Sequence, residues 1–209
     1  MKKSLVAAGI IIALGVVWTG GAWYTGKQLE SRIADMVQQA NAQLQSSAPQ
    51  AGVELTYQDY QRGLFSSRLQ LVLKPIAGKA PRWLAAGQSL VFDEVVDHGP
   101  FPLASLKSFN LAPAMASVKT TLVNNEASKS LFDIAKGETP FTIDTRIAYS
   151  GDNQSAIVLK PLDYAKDDEK VTFSGGQFQL NADREGKTLS LSGEAGSGQI
   201  NAVNEYNQK

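Results

Sequence analysis

The chain has 209 residues, 43% of them apolar, and 20 basic residues stand against 20 acidic ones. That length holds one domain or one and a half, and a charge balance this even, with no basic run after residue 27, offers nucleic-acid phosphates no bulk attraction. The absence of cysteine excludes disulfides, thiolate nucleophiles, zinc knuckles and a lipidated cysteine anchor.

Residues 4–26 carry no charge and read SLVAAGIIIALGVVWTGGAWYTG. As a helix they would run about 34 Å at roughly 1.5 Å per residue, enough for a hydrocarbon core about 30 Å thick. Lys2 and Lys3 precede the stretch, which keeps the N-terminus cytoplasmic and sends the rest outward. Trp18, Trp23 and Tyr24 gather at its outward end, where amphipathic rings favour the headgroup level. A cleavable signal peptide competes with this reading, because Gly20 and Ala22 have the small-residue spacing of a cleavage site. Bulky Trp18 and Trp23 beside that site argue for a retained anchor over residues 1–26. Gly9 and Ala13 are ordinary composition rather than a helix-pairing motif.

Residues 27–48 follow as an amphipathic stalk helix. Leu29, Ile33, Met36, Val37, Ala40 and Leu44 recur at helical spacing on one stripe, and Ser46, Ser47 and Pro49 end it. From residue 53 the period changes from 3.6 to 2. Val53, Leu55 and Tyr57 alternate with polar residues, Arg62-Gly63 turns the chain, and Leu69, Leu71 and Leu73 resume the alternation as far as Pro75. The two segments form an antiparallel pair. Further strands are expected over 89–96 and 114–123, with a short helix over 128–136 closed by Gly137. Beyond it Phe141, Ile143, Thr145, Ile147 and Tyr149 share a face. Ile157 to Lys160, Val171 with Phe173, Phe178 with Leu180, and Leu189 with Leu191 are strand positions, joined by turns at Gly151-Asp152 and at 183–186. Strands with short turns and no helices between them make an antiparallel meander. The expected fold is thus a transmembrane helix and a stalk helix, then a mainly β domain over 53–209 with one or two short helices, its sheet left incomplete at the C-terminus.

Few residues invite chemistry. His98 is the sole histidine and has Asp97 beside it, which brings an envelope hydrolase to mind. No G-x-S-x-G elbow supplies a nucleophile, so a histidine bonded to backbone in the rigid corner His98-Gly99-Pro100-Phe101-Pro102 is the expectation. Asp93, Glu94 and Asp97 read as a solvated strand end, with Asp93 and Glu94 on opposite faces. The run Asp167-Asp168-Glu169-Lys170 reads as a solvated loop, and Gly196-Ser197-Gly198 as a flexible strand end rather than a phosphate loop. Tyr57, Tyr60, Arg62, Gly63, Leu64 and Phe65 read as a hairpin whose aromatics cover the core and whose arginine snorkels, in preference to a stacking patch. No catalytic, cofactor-binding or metal-binding residue is expected.

The segments VVWTGGAWYTGKQLE, YQDYQRGLFSS and DHGPFP, with TTLVNNEASKSLFDIAKGETPF and GQFQLNADREGK, together resemble the YdgA-like family of bacterial inner-membrane proteins of unknown function. The resemblance covers essentially the whole chain. It implies a membrane-anchored periplasmic protein with a large β-rich body, of which this chain matches the N-terminal part. No catalytic residue comes with it. The function expected is non-enzymatic, a binding or envelope-organising role. Its partners would be the inner-membrane bilayer, a second copy or another envelope protein. A lipid held on the apolar face of the sheet, lined by Phe141, Ile143, Ile147, Phe173, Phe178 and Leu180, is the alternative.

Overall fold

The computed structural model describes residues 2–107, 109–166, 169–184 and 187–201, with side chains described from Ala22 onward at most positions. It opens with one continuous helix, α1 (Lys2–Ser47), which ends in a short 3-10 turn at Pro49–Ala51. Among the described residues no helix is long and apolar enough to cross a membrane. The uncharged stretch 4–26 lies outside the described side chains as far as Gly21, and Trp18 with it.

Eleven strands follow among the described residues. They are β1 (Val53–Arg62), β2 (Ser66–Pro75), β3 (Leu90–His98), β4 (Ala116–Leu122), β5 (Phe141–Ile147), β6 (Asn153–Leu159), β7 (Leu162–Lys166), β8 (Glu169–Phe173), β9 (Gly176–Ala182), β10 (Leu189–Ala195) and β11 (Gly198–Asn201). Two short helices interrupt them, α2 (Leu103–Lys107) before β4 and α3 (Lys129–Ile134) before β5. Eight strands form one sheet in the order β1-β2-β3-β4-β5-β6-β9-β10, and β11-β8-β7 form a second. Every pairing is antiparallel.

The registers put the period-2 pattern to use. Leu55 lies opposite Leu73 and Tyr57 opposite Leu71, so the apolar sets of β1 and β2 share a face. A bulge between Gln58 and Gln61, with Asp59 in the left-handed region, keeps Tyr60 on that face. There α1 lies across β1, β2 and β3, and Ile33 joins Leu69, Val96 and Ala116 in a core that Leu29, Tyr60, Leu71, Val118 and Ile147 extend. Asn41 ties the helix to β1 by a two-way amide bond with Leu55, donating to its carbonyl and accepting from its N–H, each at 2.7 Å.

Several expectations change. The stalk stripe is only partly covered: Ile33 is buried, whereas Met36 and Ala40 face water, because the contact face follows Leu29, Ile33, Val37 and Asn41. Glu169 and Lys170 belong to β8 rather than to a loop, and Lys166 pairs with Glu169; Asp167 and Asp168 lie outside the described residues, as do Glu185, Gly186 and residues 202–209. Phe173 sits on β8 in the smaller sheet, so it does not join the lining assigned to it. The corner after β3 holds a cis Gly99–Pro100 bond. Gly99 is required there by close approach rather than by turn freedom, since a Cβ would collide with the carbonyl oxygen of Ala114.

Candidate functional site

Phe92, Glu94, Val96 and His98 alternate along β3 onto the face that α1 covers, and Asp93, Val95 and Asp97 onto the other. At the end of that row His98 is 1% exposed and lies beside Ser67 of β2, itself 1% exposed. His98 Nε2 is 2.8 Å from Ser67 Oγ, and Nδ1 is 3.3 Å from the carbonyl oxygen of Leu64. A carbonyl only accepts, so Nδ1 carries the proton and Nε2 takes the Ser67 hydroxyl hydrogen. The Tyr60 hydroxyl, 3.3 Å from Ser67 Oγ, then donates to it. Burial holds the His98 imidazole below its ordinary pKa, against the Leu64 bond and the Asp97 charge, which raise it.

This is a serine beside a neutral imidazole, the contact a hydrolase uses to activate its nucleophile. The third member is elsewhere. Leu64 occupies the Nδ1 position that a triad carboxylate needs, and Asp97 turns to the opposite face, where Oδ2 accepts from Ala104 N–H of α2 at 2.7 Å. Above the imidazole stands Gly26 of α1, so close that a methyl group there would be 2.5 Å from His98 Cε1. Helix and sheet seal the pair from solvent. The network satisfies every buried polar atom it contains and fixes where α1 meets the end of the sheet.

The carboxylate cluster comes apart. Asp93 faces water and bonds Gln70 Nε2, but Glu94 is buried at 6% exposure and accepts from Thr120 Oγ1 at 2.7 Å. Burial, partly opposed by the Thr120 bond, lifts its pKa to about 7. The solvated strand end expected from the sequence is therefore wrong for Glu94. The residues missed were Ser67, Gly26 and Glu94. Ser67 was within reach, because it shares parity with Leu69, Leu71 and Leu73. Glu94 was not, because both parities of β3 carry apolar residues.

Residues 1–209 match a family described as bacterial protein of unknown function (DUF945). The chain belongs to this family. It is 68% identical over its whole length to Protein YdgA of Escherichia coli (strain K12), of which it covers 42%. It is 35% identical over 91% of its length to Uncharacterized protein YihF of the same organism, covering 38% of that protein. An uncharacterized protein of Haemophilus influenzae is 29% identical over 88% of the chain, which covers 49% of it. The chain thus spans less than half the length of the curated relatives it matches. No solved structure matches it.

Two further surfaces of this family member are chemically distinct. On the face away from α1, Arg146, Gln154, Asn181 and Ser190 form one polar row across β5, β6, β9 and β10, at a cleft of about 460 Å³. Arg146 Nη2 donates to the carbonyl of Pro113 at 2.8 Å, while its buried Nε finds no partner. On the face toward α1 lie Phe141, Ile143, Ile157, Leu159, Phe178 and Leu180, with Phe141 opposite Leu159 and Ile157 between Ile143 and Phe178. All six are half-buried, and among the described residues no helix lies over β6, β9 or β10. The hairpin Tyr57–Phe65 matches its expected role only in part: Tyr60 joins the core, but Tyr57 is exposed, and Arg62 reaches back to pair with Glu30 of α1.

Proposed function

We propose that this chain is a non-enzymatic, membrane-anchored periplasmic protein whose sheet binds acyl chains on its open apolar face. Residues 1–26 are its anchor, residues 27–48 its stalk and residues 53–209 its β-rich body. The observation that carries the reading is the half-buried apolar row Phe141, Ile143, Ile157, Phe178 and Leu180, which continues the core beyond the edge of α1 with no helix packed on β6 or β9 among the described residues. A half-buried apolar row beside the packed core offers a ligand an apolar lining. The uncharged stretch 4–26 supports lipid as the occupant, because it would hold the sheet beside a bilayer. The sealed Ser67–His98 pair, without a carboxylate at Nδ1, supports a structural over a hydrolytic role for the histidine.

A photoactivatable phospholipid presented to the full chain in vesicles tests this. Crosslinks should map to peptides of β5, β6 and β9 as well as to residues 4–26, and Ile157→Asp with Phe178→Asp should remove the former only. Crosslinks confined to residues 4–26 would leave the chain anchored but its sheet face without a lipid.

A further inference from the structure

Five exposed apolar side chains of the body, Leu64, Phe109, Leu111, Met115 and Tyr149, stand at one end of the large sheet. α1 runs from Gly26, against His98, to Asn41, against Leu55, so it meets the body at the end of the sheet where β3 finishes. Three loops at that end carry them: the β1–β2 turn gives Leu64, the long β3–β4 connection gives Phe109, Leu111 and Met115, and the β5–β6 turn gives Tyr149. The His98–Leu64, Gly99–Met115 and Met115–Ile147 hydrogen bonds hold the three together. Phe109 is 91% exposed and Leu111 69%, the first two residues described after α2 being a phenylalanine in water and the asparagine that separates it from Leu111.

Phe109 is costly where it stands. Its φ of +56° closes α2, with its N–H donating to Leu106 and that of Asn110 to Ser105, at a place glycine usually fills. A large apolar ring held there against both backbone strain and water has no packing role among the described residues. Lys107, exposed, stands two residues before it. The level of this end along α1 is fixed by Ala22 and Gly26, both buried, with Tyr24 exposed between them. These are the last residues of the uncharged stretch.

We infer that the β3–β4 connection, through Phe109 and Leu111 with Leu64 beside them, docks into the interfacial layer of a phospholipid bilayer next to the emerging helix. This rests on the anchored reading above. If residues 4–26 span, residues 22–26 lie at headgroup depth, and the loops level with them meet the same layer. Aromatic and leucine side chains enter that layer, and Lys107 meets anionic headgroups. The docked loops hold the body upright, with the apolar face of the sheet running down to the bilayer surface.

The chain has no cysteine, so single reporter positions are available without background. Leu111→Cys, and Trp83→Cys in the β2–β3 connection at the opposite end, are labelled with an environment-sensitive fluorophore in the full chain. The chain is reconstituted in vesicles of phosphatidylethanolamine and phosphatidylglycerol. The label at 111 should be blue-shifted and several-fold less quenched by aqueous iodide than the label at 83, and Phe109→Ser should reduce that protection. Equal quenching at the two positions in a chain that resists alkaline extraction overturns the docking and leaves the anchor standing. A chain that alkaline washing strips from the vesicles overturns both.

Discussion

A methyl group at position 26 would stand 2.5 Å from His98 Cε1 and 2.8 Å from Nδ1, and the ring is pinned at both nitrogens. In an ordinary helix Gly→Ala stabilises by about 0.5–1 kcal/mol. Here overpacking, typically about 1–3 kcal/mol, outweighs that gain, so Gly26→Ala is expected to lower Tm by roughly 2–6 °C. His98→Ala should itself destabilise, by about 2–4 kcal/mol, through a cavity and an unpaired Ser67 hydroxyl. In its background Gly26→Ala should become neutral or favourable. Additive losses in the double variant, read by thermal unfolding, would mean that the two residues do not share a contact. Glu94 makes a separate prediction. Its folded pKa of about 7 lies above the ordinary 4.5, so between these values the folded chain holds a proton that the unfolded chain has released. The contribution of Glu94 to stability is then fullest below pH 4.5 and falls as pH rises to about 7, by roughly 3 kcal/mol in all. His98, with its pKa lowered, works in the opposite sense, contributing stability above its ordinary pKa that is lost as pH falls. Glu94→Gln keeps an acceptor for Thr120 and carries no charge. It should therefore raise Tm at pH 8 and leave it unchanged at pH 4; equal unfolding profiles across that range would show that Glu94 ionises freely.

Ile33 and Val37 are one helical turn apart, yet the sheet covers them unequally: Ile33 is in the core and Val37 half-buried. A charge at 33 must either be desolvated or force α1 off β1, β2 and β3. Ile33→Asp is expected to cost about 3–5 kcal/mol and Val37→Asp about 1–2, measured by denaturant unfolding. Equal costs would place the whole stripe against the sheet. The stripe was legible in the sequence as a helix face, but its outcome was not. Periodicity gives the direction of Ile33 and says nothing of how far the sheet reaches, and so Met36 and Ala40, equally periodic, ended in water. Strands β1 and β2 were legible because their alternation is clean and Arg62-Gly63 marks the turn. α2 was not, because five residues give no period and its N-terminal acceptor, Asp97, comes from the preceding strand. For the candidate site the corner was readable from its prolines and the buried pair was not, since Ser67 and His98 meet only through the β2–β3 register.

At the scale of the molecule the two edges of the large sheet are unlike. β1 bonds α1 through Asn41 and Glu30–Arg62, which shields its outer side. β10 has no such cover among the described residues: all seven of its residues are exposed, Leu189 and Leu191 at 66% and 64%, and Glu194 is its single charge. The side that faces away from β9 pairs with no strand among the described residues, and the strand has no proline. Natural edges are blunted by lysine or proline, and this one has neither. A second copy can extend the sheet by pairing β10 to β10, which would bury Leu189 and Leu191 from both chains. The chain is therefore expected to self-associate in a concentration-dependent way when taken from detergent at low salt. Leu191→Lys, which sets a charge on the apolar side of the edge without touching the core, should shift sedimentation toward the monomer and leave Tm within about 1 °C. A wild-type chain that sediments as a monomer at every concentration, with the same profile as Leu191→Lys, would mean that the edge is protected by a feature other than its sequence.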